Sequence, residues 1–248
     1  MEALLAYKAY IVATALVFLF ALERVFPAVN NSWQPMRMVK NFSVAFINFL
    51  LGPLIVLPLS VYVSTHGLGL RPSWWNMAFD LLLLDAWIYA WHRLNHLLPF
   101  LWRFHEVHHL DETLDTTTAL RFHFGEVVLS ALVRAALIWM LAIPLFTVAV
   151  FETLVVLAAL FHHSNLKLPS ALESWVSKLI VTPRLHWVHH HALREDTDSN
   201  YATVLSVWDM LFRSRSKNAR RQDMKMGVAG KPDRSLLELL LSPFQPRS

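Results

Sequence analysis

Cysteine is absent from this chain of 248 residues, and its absence excludes several kinds of site at once. Disulfide bonds, thiolate nucleophiles, zinc ribbons and cysteine-ligated iron–sulfur clusters all need a cysteine thiol. Charge is also scarce, because Asp, Glu, Lys and Arg make up 16% of the residues, whereas soluble domains average about 25%. With six glycines and 55% hydrophobic residues, the composition favours an integral membrane protein over a soluble enzyme.

The hydrophobic residues are gathered in four long segments, 3–23, 43–64, 75–91 and 127–161. A membrane-spanning helix needs about 20 residues, so each of the first three segments can form one span. As a single helix, the fourth segment would be roughly 52 Å long, which exceeds a hydrocarbon core of ~30 Å. Pro144 lies near its middle and predicts a break. We therefore expect a hairpin of two spans that returns the chain to the same side.

These segments predict an all-α, multi-pass helical bundle of four or five transmembrane segments in a single domain, 1–248. Lys and Arg concentrate in the 24–42 connection and in the tail 214–248, a distribution typical of cytoplasmic segments. We expect five spans with the N-terminus outside, in a bacterial inner membrane or the endoplasmic reticulum. The alternative is a re-entrant third segment with the N-terminus inside. We interpret the basic tail as a contact with anionic headgroups rather than with nucleic acid.

Histidine is concentrated in three groups at helical spacing. The groups are His92 and His96; His105, His108 and His109; and His186, His189 and His190. Residues three or four apart share one face of a helix, so each group can direct two or three imidazole nitrogens to one point. Eight such residues exceed the ligands of one tetrahedral zinc ion. They suit two metal ions, and iron, zinc, copper and nickel all accept imidazole-rich ligation.

A single histidine in an apolar chain is more often a structural or interfacial residue than a ligand, and we interpret His66 in this way. Three groups are different, because burying so many unpaired imidazoles near a bilayer would be costly. We therefore expect bound metal in a cap of histidine-rich helices on the cytoplasmic face of the bundle.

The three groups resemble the histidine boxes of the fatty acid hydroxylase/sterol desaturase superfamily. The similarity continues in the segments 111–123, 161–165 and 198–212, and it covers roughly residues 76–213. Two positions depart from the pattern, because Ala202 and Arg213 stand where the family usually has glycine. These departures affect the shape of loops near the last box more than they affect the ligands.

The resemblance implies an integral membrane oxidoreductase that holds two iron ions and uses O2 as co-substrate. Such an enzyme hydroxylates or desaturates a C–H bond of a sterol, a fatty acyl chain or a related long-chain lipid, which enters from the bilayer. Electrons come from a separate donor protein. Zinc or another metal could occupy the same ligands. His163 matches a further histidine of the family and is expected to be a ligand. His123 is another candidate, whose alternative role is to cap a helix or to support a ligand.

Three carboxylates are candidates for catalytic support of the histidines. They are Asp85, Glu126 and Asp209. Asp85 lies two helical turns before His92, so it could accept the second ring N–H of a ligand and fix its tautomer. The alternative for Asp85 is an ion pair with Arg93 or Lys40.

Two other functions would use the same residues. His105-Glu106-x-x-His109 satisfies the H-E-x-x-H pattern of zinc metalloproteases, in which the glutamate is the general base. A membrane metalloprotease would leave the other two histidine groups without a role. A non-enzymatic metal transporter is the other alternative. Transport sites lie near the bilayer midplane on broken helices, whereas these histidines lie just beyond apolar segments.

Overall fold

Helices account for the regular structure of the chain in a computed structural model, which describes residues 2–31, 33–72 and 75–245. Within these ranges no strand occurs, and extended backbone pairs only as isolated bridges such as Pro27–Leu166. The helices are α1 (Glu2–Val25), α2 (Pro35–Leu51), α3 (Leu57–Thr65), α4 (Met77–Leu97), α5 (Pro99–His109), α6 (Phe124–Leu141), α7 (Leu145–His163), α8 (Ser170–Val176), α9 (Pro183–His189), α10 (Arg194–Thr197), α11 (Val207–Leu211) and α12 (Leu236–Leu241). The predicted all-α class is confirmed.

Three helical stretches in the described residues are long and apolar enough to cross a membrane. They are Pro35–Thr65, Phe124–Leu141 and Leu145–His163. The first joins α2 to α3 through a π-helical turn at Gly52–Val56. Its 31 residues extend roughly 46 Å. It begins at Pro35, well before the predicted span 43–64. Large apolar side chains such as Phe49 and Leu54 point outward from it, 70% and 72% exposed, which suits contact with lipid.

The fourth apolar segment forms the predicted hairpin. α6 ends at Leu141, Ala142 adopts a left-handed conformation with φ of 50°, and Pro144 immediately precedes α7. A proline can lead into the first turn of a helix but cannot continue one, so the chain reverses here. The start of α6 and the end of α7 therefore lie at the same end of the bundle.

Among the residues whose side chains the structure describes, α1 and α4 provide no stretch that meets the same criterion of length and apolarity. α1 packs along α7, where the Lys8 ammonium and the Glu152 carboxylate are 2.7 Å apart. α4 begins near Asp80, whose carboxylate accepts hydrogen bonds from Arg71 and Trp75 at 3.0 and 2.9 Å. Length and composition thus support three of the four or five predicted spans.

One end of the bundle carries a polar, histidine-rich region formed by residues 99–123 and 163–214, which we call the histidine cap. α2 is fastened to it by Arg37, whose Nε lies 2.6 Å from Asp111 Oδ1 and whose Nη1 lies 2.9 Å from Asp115 Oδ2. Asn41, one turn further along α2, donates to the same Asp111 carboxylate at 3.1 Å. These buried charges are paired and hydrogen-bonded, as burial requires, so they fix the cap on the bundle.

The C-terminal segment folds back over this cap. Asp233 forms ion pairs with Arg121 and Lys40. Leu239 of α12 is fully buried and packs against Val107 and Leu110 of the cap. The end of the basic tail is therefore part of the folded cap, while the cationic run 213–221 lies nearer the surface.

Candidate metal centre

Nine histidines come together because they lie at or near the ends of four helices that meet in the histidine cap. α4 carries His92 and His96 in its last two turns, and α7 ends at His163. α5 and α9 each begin at a proline, Pro99 and Pro183, a residue suited to the first turn of a helix. Each of these two short helices then presents a complete histidine box.

The nine histidines form two groups of buried side chains, in each of which the candidate ligand atoms lie within 4.8 Å of one another. The five-histidine group is His92, His96, His105, His109 and His189. The four-histidine group is His108, His163, His186 and His190. The two groups touch, because the His109 and His190 rings are stacked with centroids 4.4 Å apart. The structure thus brings the histidines of the three boxes, together with His163, into two groups that could each hold a metal ion.

Each box is divided between the two groups according to helical spacing. Pairs four residues apart stay together, as with His105 and His109, or His186 and His190. The residue at the third position crosses to the other group, as His108 and His189 do. The helical spacing predicts that each box directs its nitrogens to one point, and this prediction is wrong. Successive residues turn by about 100° around a helix, so positions i+3 and i+4 lie on opposite sides of position i, and one helix can serve two adjacent sites.

The Nε2 atoms face one another at distances that suit a shared ion. His105 Nε2 lies 3.1 Å from His92 Nε2 and 3.2 Å from His109 Nε2. In the four-histidine group, His163 Nε2 lies 3.0 Å from His108 Nε2 and 2.9 Å from His186 Nε2. Two nitrogens bound at a right angle to one ion at about 2.1 Å would lie about 3.0 Å apart. The spacing is therefore that of neighbouring ligands.

Three of the outer ring nitrogens are held by backbone carbonyl oxygens, which orients the inner nitrogens of the same rings. The Nδ1 atom of His92 lies 2.7 Å from the Tyr201 carbonyl oxygen, and that of His189 lies 2.6 Å from the Ser199 carbonyl oxygen. His163 Nδ1 lies 2.8 Å from the carbonyl oxygen of Ala159. Carbonyl oxygens only accept, so each Nδ1 carries the proton and each Nε2 presents a lone pair to the centre.

Several inner nitrogens have no other partner. Among the described residues, the buried Nε2 atoms of His96 and His189 make no hydrogen bond. A buried polar atom without a partner carries an appreciable energetic penalty, and a metal ion would remove it. The donor set, the Nε2 spacing and these unpaired atoms all fit a metal centre.

Burial also keeps these imidazoles neutral. Removal from water, with a further effect of neighbouring imidazoles, holds the pKa of His108, His109, His186 and His190 well below the ordinary histidine value. Burial lowers the pKa of His189 to about 3, although its hydrogen bond to Ser199 opposes the shift. Metals bind the neutral ring, so at neutral pH the ligands do not need to lose a proton first.

The structure does not bring His123 to either group. Its Nδ1 accepts a hydrogen bond from the Gly125 backbone N–H at 2.9 Å and caps α6. Its Nε2 lies 3.1 Å from the Leu240 carbonyl oxygen of the C-terminal segment. Both ring nitrogens are therefore occupied, and His123 takes the capping role that was its alternative.

The three candidate carboxylates differ in what they touch. Glu126 Oε1 lies 2.9 Å from His105 Nδ1, the supporting contact that was expected of it. Asp209 accepts from the backbone N–H groups of Tyr201 and Ala202, so it shapes the loop whose carbonyl holds His92.

Asp85 has a different role from the one predicted. Its Oδ2 accepts from the Leu205 backbone N–H at 3.1 Å and from Trp208 Nε1 at 2.8 Å. Its expected contact with a ligand histidine is replaced by these two bonds, since the Nδ1 of His92 contacts the Tyr201 carbonyl. The alternative ion pair is also wrong, because Lys40 pairs with Asp233 and Arg93 donates to the Tyr89 hydroxyl at 3.3 Å. Asp85 instead attaches the loop before α11 to α4.

Two supporting residues were missed in the sequence. Asn95 donates to Glu126 Oε1 at 2.9 Å and so fixes the carboxylate that contacts His105. Trp102 packs its ring against His96 and His109, with centroids 5.0 and 5.3 Å away. Their positions in the sequence could have indicated these roles, because Asn95 directly precedes His96 and Trp102 lies one turn before His105.

The glutamate of the H-E-x-x-H pattern has other partners. Glu106 accepts from Trp102 Nε1 at 3.2 Å and forms an ion pair with Lys231. His105 and His109 share their site with three histidines from outside that pattern. The protease pattern therefore describes only part of the centre.

Comparison with known proteins gives a consistent result. The fatty acid hydroxylase family matches residues 77–214. An ornithine lipid hydroxylase of Rhizobium tropici is 28% identical over 177 residues, which cover 70% of this chain and 53% of that protein. Alkylglycerol monooxygenase of Danio rerio is 35% identical over 141 residues, covering 56% of this chain and 30% of that protein. Cholesterol 25-hydroxylase of Rattus norvegicus is 26% identical over 137 residues, with coverage of 53% and 44%. No solved structure matches significantly.

Proposed function

This chain belongs to the fatty acid hydroxylase family, and we propose that it is a membrane oxidoreductase that uses O2 to hydroxylate or desaturate a lipid C–H bond. The observation that carries the proposal is the convergence of nine buried histidines in two adjacent groups at one end of an apolar helical bundle. The chain spans about half or less of the length of the relatives described above, so its activity is inferred from its own site together with the family.

Two iron ions are the metals that this chemistry requires. The five-histidine group and the four-histidine group would each hold one, and iron would supply the redox chemistry with O2 that side chains lack. For hydroxylation, a C–H bond, O2, two electrons and two protons give an alcohol and water. For desaturation, O2, two electrons and two protons are again consumed. Two hydrogens leave adjacent carbons of the lipid, and the products are an alkene and two waters. The electrons would come from a separate one-electron donor protein.

The residues around the histidines hold this centre rigid and dry. Glu126 and the carbonyl oxygens of Tyr201 and Ser199 fix the rings, so the Nε2 atoms are placed before any metal arrives. His108, His109 and His190 are fully buried, which keeps water away from the reacting atoms. Carbonyl and carboxylate partners also raise the electron density of the imidazoles they accept from.

The apolar bundle would deliver the substrate. The exposed apolar faces of α2, α3, α6 and α7 suit a protein that lies in a bilayer, so a long-chain lipid can approach the histidine cap from the side. We place the cap and the C-terminal tail on the cytoplasmic face, because Arg24, Arg37 and Lys40 lie at the same end. Five crossings, including α1 and α4, would be consistent with the end of the bundle at which each connection lies.

A comparison of cellular lipids tests this proposal. Membranes from cells that express the protein, compared with cells that express a His108→Ala variant, should contain one lipid class with a mass gain of 16 or a loss of 2. For a gain of 16, the added oxygen atom should be ¹⁸O when the cells are grown under ¹⁸O2. A shift that is equal with both proteins, or no shift in any lipid class, would reject the proposal. Glu106→Gln should keep the lipid product, whereas a metalloprotease would lose its activity.

A further inference from the structure

A small cationic cleft lies beside the histidine cap and is not part of the metal centre. Its volume is about 200 Å³, and it opens between the connection after α1, the connection after α7 and the C-terminal tail. It is lined by Ala28, Val29, Lys167, Arg220, Arg221 and Gln222. Three of these six residues carry a positive charge.

The backbone around the cleft is fixed by hydrogen bonds. The Ala28 backbone N–H donates to the Asn165 carbonyl, and the Lys167 N–H donates to the Phe26 carbonyl, each at 2.8 Å. The side chain of Asn165 adds bonds to both backbone groups of Val29, at 3.0 and 2.7 Å. The connections after α1 and α7 are thereby joined, and the third segment contacts them where Gln222 Nε2 lies 3.5 Å from the Ala28 carbonyl oxygen.

The charge of the cleft is incompletely balanced. Arg220 Nη2 lies 3.5 Å from Glu173 and Arg221 Nε lies 3.2 Å from Asp223. Among the described residues, no acidic group is within ion-pair distance of the Lys167 ammonium. The Nη1 of Arg220 is buried and has no hydrogen-bond partner. One positive charge is in excess, and one guanidinium donor of Arg220 has no partner within the protein. An anionic oxygen is the partner that a guanidinium binds best.

The position of the cleft indicates the source of that anion. Lys167 lies four residues beyond His163, where the candidate span α7 ends, and Ala28 lies three residues beyond the end of α1. Residues just beyond the apolar part of a helix lie among the lipid headgroups. A phosphate at this depth belongs to a membrane lipid more readily than to a solute.

The cleft also adjoins the metal centre. The guanidinium carbon of Arg220 lies 5.6 Å from the centre of the Trp187 ring. Trp187 is buried and follows His186 directly in α9. The cleft thus adjoins α9, the helix that carries His186 and His189 of the metal centre.

We propose that Lys167, Arg220 and Arg221 bind the phosphate of an anionic membrane lipid. The proposal does not depend on the redox function, since it requires neither iron nor turnover. It concerns a defined cleft rather than the general attraction of a basic tail for a negatively charged membrane.

Lipid binding by the purified full-length protein in detergent tests the proposal. Short-chain phosphatidic acid and phosphatidylcholine would each be titrated and their binding quantified by native mass spectrometry. The test variant is Lys167→Gln/Arg221→Gln, because both side chains are exposed and Arg220 keeps its partner Glu173. The matched control is Lys217→Gln/Lys225→Gln, which removes the same charge from exposed positions of the tail outside the cleft.

The wild type should bind phosphatidic acid at least tenfold more tightly than phosphatidylcholine. A basic residue near a lipid surface contributes about fivefold to affinity, so the test variant should bind phosphatidic acid about 25-fold more weakly. The control should stay within twofold of the wild type, and both variants should keep the wild-type melting temperature.

Equal binding by the test and control variants would overturn the proposal, as would equal affinity of the wild type for the two lipids. Inorganic phosphate is the third ligand to be titrated. If it binds the wild type as tightly as phosphatidic acid does, the cleft recognises free phosphate and the assignment to a lipid is overturned. Weak displacement by millimolar phosphate supports the lipid.

Discussion

Glu126 Oε1 lies 2.9 Å from the Nδ1 of His105 and holds that ring in the five-histidine group. The same oxygen accepts a hydrogen bond from Asn95 at 2.9 Å. A carboxylate bonded to the outer nitrogen of a ligand histidine fixes its tautomer and raises its basicity. Glu126 therefore acts as a positioning residue for the centre, and it belongs to α6 rather than to any histidine-bearing helix.

Glu126→Gln should weaken metal binding at the five-histidine group by about tenfold or more, because the amide is a poorer acceptor for the His105 N–H. Titration of the metal-free protein with Fe(II) or Co(II) would measure the two affinities. Glu195→Gln, on the exposed surface of α10, is the matched control and should bind both ions normally. If Glu126→Gln also behaves as wild type, the positioning role is wrong.

His123→Ala should keep both metal ions and yet lower stability. The substitution removes the side-chain cap of α6 and the bond to Leu240, so we expect a loss of about 1–2 kcal/mol in the free energy of unfolding. His123→Asn should recover much of that loss, because asparagine is a good N-cap residue. Chemical denaturation in detergent, paired with metal analysis, would measure both effects. Loss of an ion from His123→Ala would instead identify His123 as a ligand.

Acid should destabilise the metal-free protein. Burial lowers the pKa of His108, His109, His186 and His190 in the folded state, so the unfolded chain binds more protons below its ordinary histidine pKa of about 6.5. Stability is then fully present above about pH 6.5 and falls as the pH decreases toward the folded pKa values. Melting temperatures between pH 7.5 and pH 5 should fall steadily. A constant or rising melting temperature would contradict the burial of neutral rings.

Arg213 occupies a left-handed backbone conformation, with φ of 55°, which glycine adopts without strain. A side chain in this conformation costs roughly 1–2 kcal/mol relative to glycine. Arg213→Gly should therefore stabilise the protein by about 1 kcal/mol, measured by chemical denaturation. Arg213→Ala separates the backbone from the side chain, because alanine keeps the strain. Equal stability of the two variants would show that the backbone is not the cause.

The local parts of this structure could be predicted from the sequence. Histidine spacing of four residues predicts the pairs that α4, α5 and α9 each give to one group, because such residues share a side of a helix. Pro144 and the length of the apolar run define the α6–α7 hairpin. These features depend only on helix geometry and on the thickness of a bilayer.

The parts that were missed depend on contacts between distant segments. Asp85 faces a ligand by helical spacing, but the loop containing Leu205 and Trp208 competes for its carboxylate. His123 has ligand chemistry, but Gly125 and Leu240 occupy its two nitrogens. Such partners lie as many as 123 residues away in the chain, so no periodicity reveals them.

The metal content of the purified protein tests the central claim most directly. Expressed with iron supplied, the wild type should contain two iron ions per chain by elemental analysis. His109→Ala and His190→Ala each remove a ligand from a different group, so each should retain about one ion. Two ions in the wild type and one in each variant would support the centre described here. A wild type with one ion or none, or variants that retain both ions, would contradict it.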